Sequence, residues 1–156
     1  MDFKFTVSGR IARSVSEVYE AVADPKKLSG YFTTGGAKGR LETGAVVSWE
    51  FADFPGAFPV RVVEAEPNRR IVLAWEATDR EPAPGGESGP YDTRVTMTFE
   101  GLEDGRTLVS ITEEGWRPTG SGLAASYGNC MGWSQMIVHM KAFVEHGLNL
   151  RQGMYV

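Results

Sequence analysis

Residues 123–146 read LAASYGNCMGWSQMIVHMKAFVEH, and within them Cys130, Trp133, Ile137, Met140 and Val144 are spaced three, four, three and four apart. That spacing returns to one face of an α-helix every turn, so the stretch predicts a long amphipathic helix with one apolar stripe, widened by Met136 and Phe143. Gly147 follows at the position where a left-handed residue closes a helix. Immediately upstream, Thr119-Gly120-Ser121-Gly122 breaks the pattern, and the helix is expected to start after it.

Upstream of that break, residues 41–113 alternate apolar and polar side chains between turn signals, as in an antiparallel meander. Val47, Trp49 and Phe51 share a face, Phe58, Val60 and Val62 begin the next strand, and Ile71, Leu73, Trp75 and Ala77 form a third stripe. After a Pro- and Gly-rich insertion over residues 82–90, Tyr91, Thr93, Val95, Met97 and Phe99 alternate with polar neighbours. Glu103-Asp104-Gly105 supplies a turn, and Val109 and Ile111 continue the last strand.

At the N-terminus, Phe3, Phe5 and Val7 alternate into a strand reaching about Ile11. Ser14 and Glu17 then form a capping-box pattern ahead of Val15, Val18, Tyr19 and Val22, and Asp24-Pro25 ends that helix and opens a second short one through Leu28. Residues 33–40, with three glycines, read as a mobile connection. The order is strand, two short helices, about six strands and one long helix. A strongly curved sheet needs a cover for its concave face, and the last helix is the one element long enough to serve. The expected class is therefore α+β, a helix-grip fold of about seven antiparallel strands, with residues 1–156 as one domain.

Composition narrows the partners. Sixteen basic against twenty acidic residues leave a net charge of −4, the wrong sign for a phosphate-binding surface, so nucleic acid is excluded as an expected partner. The longest wholly apolar run, Ile71 to Trp75, is far short of the roughly 20 residues of a membrane helix, and the N-terminus lacks a signal-peptide pattern. A cytoplasmic protein without membrane insertion follows as the expectation. One cysteine, Cys130, allows no internal disulfide; its place in the apolar stripe reads as a buried small hydrophobe. Two histidines seven residues apart with no acidic cluster make no metal site, and no residue pattern calls for a cofactor.

The segment Ile11-Ala12-Arg13-Ser14-Val15-Ser16-Glu17-Val18-Tyr19-Glu20-Ala21-Val22-Ala23-Asp24-Pro25 resembles the strand end, first helix and Asp-Pro stop of the START-like, or SRPBCC, superfamily. Pro67-Asn68-Arg69-Arg70-Ile71-Val72-Leu73-Ala74-Trp75 resembles its central hairpin. Gly132-Trp133 with Met140-Lys141-Ala142-Phe143-Val144-Glu145-His146-Gly147 is similar to its gripped helix. Within that superfamily the chain resembles the branch of the domain shared with activators of the heat-shock-protein-ninety ATPase. The resemblance implies the helix-grip fold. Its members include lipid and steroid carriers, hormone receptors, cyclases, dehydratases and co-chaperones, so the fold does not select among activities.

With the helix across the sheet, Trp49, Phe51, Trp75, Val95, Met97 and Phe99 face Trp133, Met136, Ile137 and Met140. Aromatic and methionine side chains in that number suit a cavity for a small hydrophobic molecule or lipid; the plain alternative is a filled core. Glu113 continues the parity of Val109 and Ile111 and, if no bulge intervenes, points toward the cavity mouth, where it can meet a ligand hydroxyl or amine; the plain alternative is a solvated strand end. Tyr127 and Tyr31 are candidates to bring hydroxyls to the opening, the commoner alternative for each being a packed ring with its tip in water. Arg61 and Arg94 alternate outward. His139 falls about 200° around the helix from Ile137, opposite the buried stripe, and His146 sits at the helix C-terminus, where the dipole favours a cation. Three functions stay open: a ligand-binding module, for which no catalytic residue is named; a cyclase, dehydratase or hydrolase relying on Glu113; and, by resemblance alone, a co-chaperone with a chaperone partner.

Overall fold

The computed structural model describes residues 2–156. Its elements are β1 (Lys4–Ile11), α1 (Val15–Ala23), α2 (Pro25–Leu28), β2 (Gly36–Lys38), β3 (Val46–Phe51), β4 (Phe54–Glu66), β5 (Arg70–Glu76), β6 (Asp92–Gly101), β7 (Thr107–Glu114) and α3 (Gly120–His146). The strands form one seven-stranded antiparallel sheet in the order β1-β7-β6-β5-β4-β3-β2. The meander runs outward from β7 to β2, and the N-terminal strand returns to pair with β7 from Lys4↔Glu114 to Ile11↔Thr107. The helix-grip expectation is met, with α3 against the sheet.

Local chemistry sets the boundaries. Ser14 Oγ accepts from the Glu17 backbone N–H at 3.3 Å, which caps α1. The Glu17 carboxylate takes the Ser14 hydroxyl, not the Ser14 backbone N–H, so only one half of the expected capping box forms. Asp24 Oδ1 accepts from Lys26 N and caps α2, with Pro25 in its first turn. Gly147 closes α3 at φ 70°. Gly9 allows α3 to approach β1: a Cβ there would lie 2.6 Å from Ile137 Cγ2.

Three boundaries differ from the sequence expectation. The connection over residues 33–40 contains β2, which pairs with β3 from Gly36↔Glu50 to Lys38↔Ser48; the backbone ladder holds it where the glycines suggested mobility. β4 begins at Phe54 instead of Phe58, because Ala52 and Asp53 make the turn and Phe51 pairs with Phe54. Pro55 and Pro59 are tolerated there because β4 pairs with β5 only from Arg61 onward, so the proline positions have a free edge. α3 starts at Gly120, capped by the Thr119 hydroxyl accepting from Gly122 N at 2.9 Å; the cap overrides the weak helix propensity of the glycines.

The core gathers between sheet and helices: Val18, Tyr19 and Val22 of α1, Val60, Leu73, Val95, Met97, Val109 and Ile111 of the sheet, and Trp133, Met136, Ile137 and Met140 of α3. Tyr31 lies wholly in this core. Its hydroxyl donates to Ala21 O at 2.9 Å, so it is absent from any opening, and burial pushes its phenol well above the usual tyrosine range. Among the described residues no helix is long and apolar enough to cross a membrane.

Candidate functional site

Glu113 stands at the end of β7, where the strict buried alternation of that strand carries Thr107, Val109, Ile111 and Glu113 to one face. Its side chain is completely buried, at 0% exposure. A carboxylate taken out of water needs donors or a counter-charge. Four neutral side chains supply the donors, and each is delivered by regular structure. Trp75 and Thr93 are register partners on β5 and β6, so they share a face beside Glu113. Asn129 and Trp133 are one turn apart on α3 and descend from above. Trp75 Nε1 donates to Glu113 Oε1 at 2.8 Å and Thr93 Oγ1 to the same oxygen at 2.7 Å. Trp133 Nε1 donates to Oε2 at 2.9 Å, and Asn129 Nδ2 reaches both oxygens at 3.1 Å. The carboxylate is therefore a rivet joining three strands, β5, β6 and its own β7, to α3.

Around it the aromatic rings are continuous. Trp75 and Trp133 have centroids 5.5 Å apart, Trp133 stacks on Phe32 at 5.4 Å, and Trp49 meets Trp75 edge-on at 5.9 Å. Phe58 links Trp75 to Phe51. Beyond these rings a groove of about 440 Å³ opens, walled by Phe51, Phe54, Phe58 and Trp75, with Asn129 and Arg80 at its polar side. Arg80 is engaged with the Glu76 carboxylate and Ala77 O. Groove and rivet share Trp75 and Asn129.

Of the side chains expected to line a cavity, Phe51 and Trp75 border this groove. Trp49, Val95, Met97, Phe99, Trp133, Met136 and Met140 are buried in the packed core. The middle of the sheet–helix interface is thus buried and closed to solvent, and the groove opens at its β3–β5 end. Ile137 belongs to a separate hollow of about 260 Å³ against Gly9 of β1. Tyr127 is 67% exposed on the solvent side of α3, outside the groove lining. Glu113 lies inward as its parity requires, but beneath the groove floor. Asn129 and Thr93 were not singled out from the sequence; their signal was the i, i+4 relation of Asn129 to Trp133 and the parity of Thr93 with Val95, which a search for acids and aromatics passes over.

The far face of α3 corrects the expectation for His139, which is 2% exposed. The chain after Gly147 folds back over it, with Met154 Sδ 3.3 Å from His139 Nε2 and the Tyr155 ring beside it. Arg151 anchors this tail through Asp53, with contacts of 2.9 and 2.8 Å, and lies over the Phe51 ring. Burial and then the Arg151 charge hold the His139 imidazole below its ordinary value, against an opposing pull from Asp53. The Arg151 hydrogen bond lowers the Asp53 carboxyl despite its burial. A second hollow of about 350 Å³ lies beneath the tail, by Asp53, Arg151 and Tyr155. Cys130 is half-buried, because its helix position is at the margin of the stripe. Arg61 points outward and pairs with Asp92. Among the described residues no group of His, Cys, Asp and Glu side chains is arranged to hold a metal.

A family model described as activator of Hsp90 ATPase homolog 1-like protein matches residues 12–145. No curated protein matches. Among solved structures, the chain is similar to protein SSP2350 from Staphylococcus saprophyticus, with 22% identity and a TM-score of 0.76, covering 95% of this chain and 96% of that one. It is similar to an Aha1 dimer from Colwellia psychrerythraea, with 20% identity, a TM-score of 0.68 and coverage of 92% and 97%. DynU16, a putative protein of the dynemicin biosynthetic locus, shares 24% identity at a TM-score of 0.74, over 94% of this chain and 49% of that one. Likeness at these identities is a likeness of fold.

Proposed function

The chain belongs to the activator of Hsp90 ATPase homolog 1-like family, and on that premise we propose that it binds a small hydrophobic or amphipathic molecule at the Trp75–Phe58 end of the sheet. The observation that carries this reading is the groove of about 440 Å³, whose walls are Phe51, Phe54, Phe58 and Trp75. Its size suits a compact organic ligand, and aromatic walls with a few polar groups are the usual make-up of such sites. The rivet beneath the groove holds Trp75 and Asn129 in place before a ligand arrives, which lowers the ordering cost of binding. Native mass spectrometry and thermal shift against a panel of aromatic compounds and fatty acids test the reading. Saturable complexes weakened by Phe58→Ala support it; no binder in the panel, with the fold intact, sinks it.

Catalysis at the same place is the weaker reading. Both Glu113 oxygens are occupied as acceptors, and the carboxylate has no exposed surface from which to exchange a proton with a bound molecule. A chaperone partner rests on the family description. Stimulation of a purified heat-shock ATPase by this chain would establish it, and absence of both binding and stimulation would remove it. We place the protein in the cytoplasm, a location that cell fractionation checks.

A further inference from the structure

We propose that the groove selects ligands bearing a hydrogen-bond donor, through Asn129 Oδ1, and that Glu113 imposes this selectivity. The inference rests on the binding function proposed above and names the ligand class within it. An asparagine amide has one donor end and one acceptor end, and a free one turns to suit its partner. Asn129 is not free to turn. Its Nδ2 faces both oxygens of Glu113 at 3.1 Å. Rotation of the amide would bring Oδ1 against two acceptor oxygens, which already take N–H and O–H bonds from Trp75, Thr93 and Trp133. None of the indole groups can accept a bond in exchange, so the network has one consistent arrangement.

That arrangement leaves Oδ1 as the polar end of a groove-lining residue, with no hydrogen-bond partner among the described residues. An apolar body seated against Phe51, Phe58 and Trp75 strips water from Oδ1. A ligand without a donor leaves that acceptor unpaired, which is the costly outcome; a hydroxyl or N–H restores the bond. The ligand class is therefore a compact, ring-sized apolar molecule with one neutral O–H or N–H. Asn129 is the specificity-determining residue and Glu113 its positioning residue.

The test uses isothermal titration of the full chain with 2-naphthol and 2-methylnaphthalene, which match in size and differ in the donor. The wild-type protein should bind 2-naphthol about tenfold more tightly, the scale of one buried hydrogen bond gained against one acceptor stranded. Asn129→Leu should bind the two probes equally. Glu113→Gln should narrow the gap, because a carboxamide at 113 can donate to Asn129 and lets its amide turn. If Glu113→Gln does not fold, Asn129→Leu decides alone. Equal wild-type affinity for the two probes, or full selectivity in Asn129→Leu, overturns the selectivity while leaving the binding function standing. No binding of either probe to the wild type overturns both.

Discussion

The middle of the sheet–helix interface and its β3–β5 end are built from the same pattern, alternating apolar strands under an apolar helical stripe, yet one is filled and the other open. In the middle, Met97 and Ile111 are register partners on β6 and β7 and lie with Met136 and Met140 in the fully buried core. At the other end the strand positions carry Phe51, Phe58 and Trp75, the helix turns to Asn129, and Glu113 draws both sides together through hydrogen bonds. Flexible methionines collapse into a void. Flat rings held edge-on or stacked by neighbours and by an indole N–H bond keep their positions and leave the space beside them. Polar tethering, not a change in hydrophobic pattern, separates a core from a groove.

Replacing the tether should have the largest effect. Glu113→Leu strands four donors at about 1 kcal/mol each, so urea unfolding should show a loss of about 4 kcal/mol; a loss near zero would mean the rivet is not structural. Met140→Ala, in the filled region, should cost about 3 kcal/mol through the cavity it leaves, without changing ligand affinity. Affinity lost along with stability would erase the distinction between the two regions.

The tail-covered face of α3 sharpens the contrast through pH. The His139 imidazole is depressed in the fold, so the unfolded chain takes up the proton first; stability falls as pH drops below the ordinary histidine range. The slope can reach at most about 1.4 kcal/mol per pH unit for one group. His139→Leu should remove it, and an unchanged slope would show that the tail does not shield the ring. The carboxyl of Asp53 is depressed as well, and its contribution is present above the ordinary aspartate range and lost at lower pH, a component that Arg151→Ala should flatten. The smallest stability effect belongs to Phe54, 78% exposed on the groove wall. Phe54→Ser should move stability by less than about 0.5 kcal/mol while weakening ligand binding measured by titration.

The fold was legible because its signals are local and periodic. The stripe through Trp133, Ile137 and Met140, the alternation from Tyr91 to Phe99 and the stop at Asp24-Pro25 each reflect constraints within one element. The boundary errors came where a tertiary partner overrode a local tendency: β3 orders the glycines of β2, a free edge accommodates Pro55 and Pro59, and the Thr119 hydroxyl extends α3 through Gly120 and Gly122. For the site, parity placed Glu113 inward but did not reveal its company, since Thr93 and Asn129 look like ordinary polar residues until strand register and helix phase bring them to one point.

Taken alone, the amino-acid order determined the element sequence apart from β2, the inward faces of the long strands and of α3, and the position of one acid among apolar neighbours, because spacing along a backbone of known geometry requires no distant partner. Tertiary structure decided which inward faces meet tightly, where the groove lies, that the tail after Gly147 covers His139, and which end of the Asn129 amide meets Glu113. Those outcomes depend on distances between chain segments far apart in sequence, and no local period encodes them.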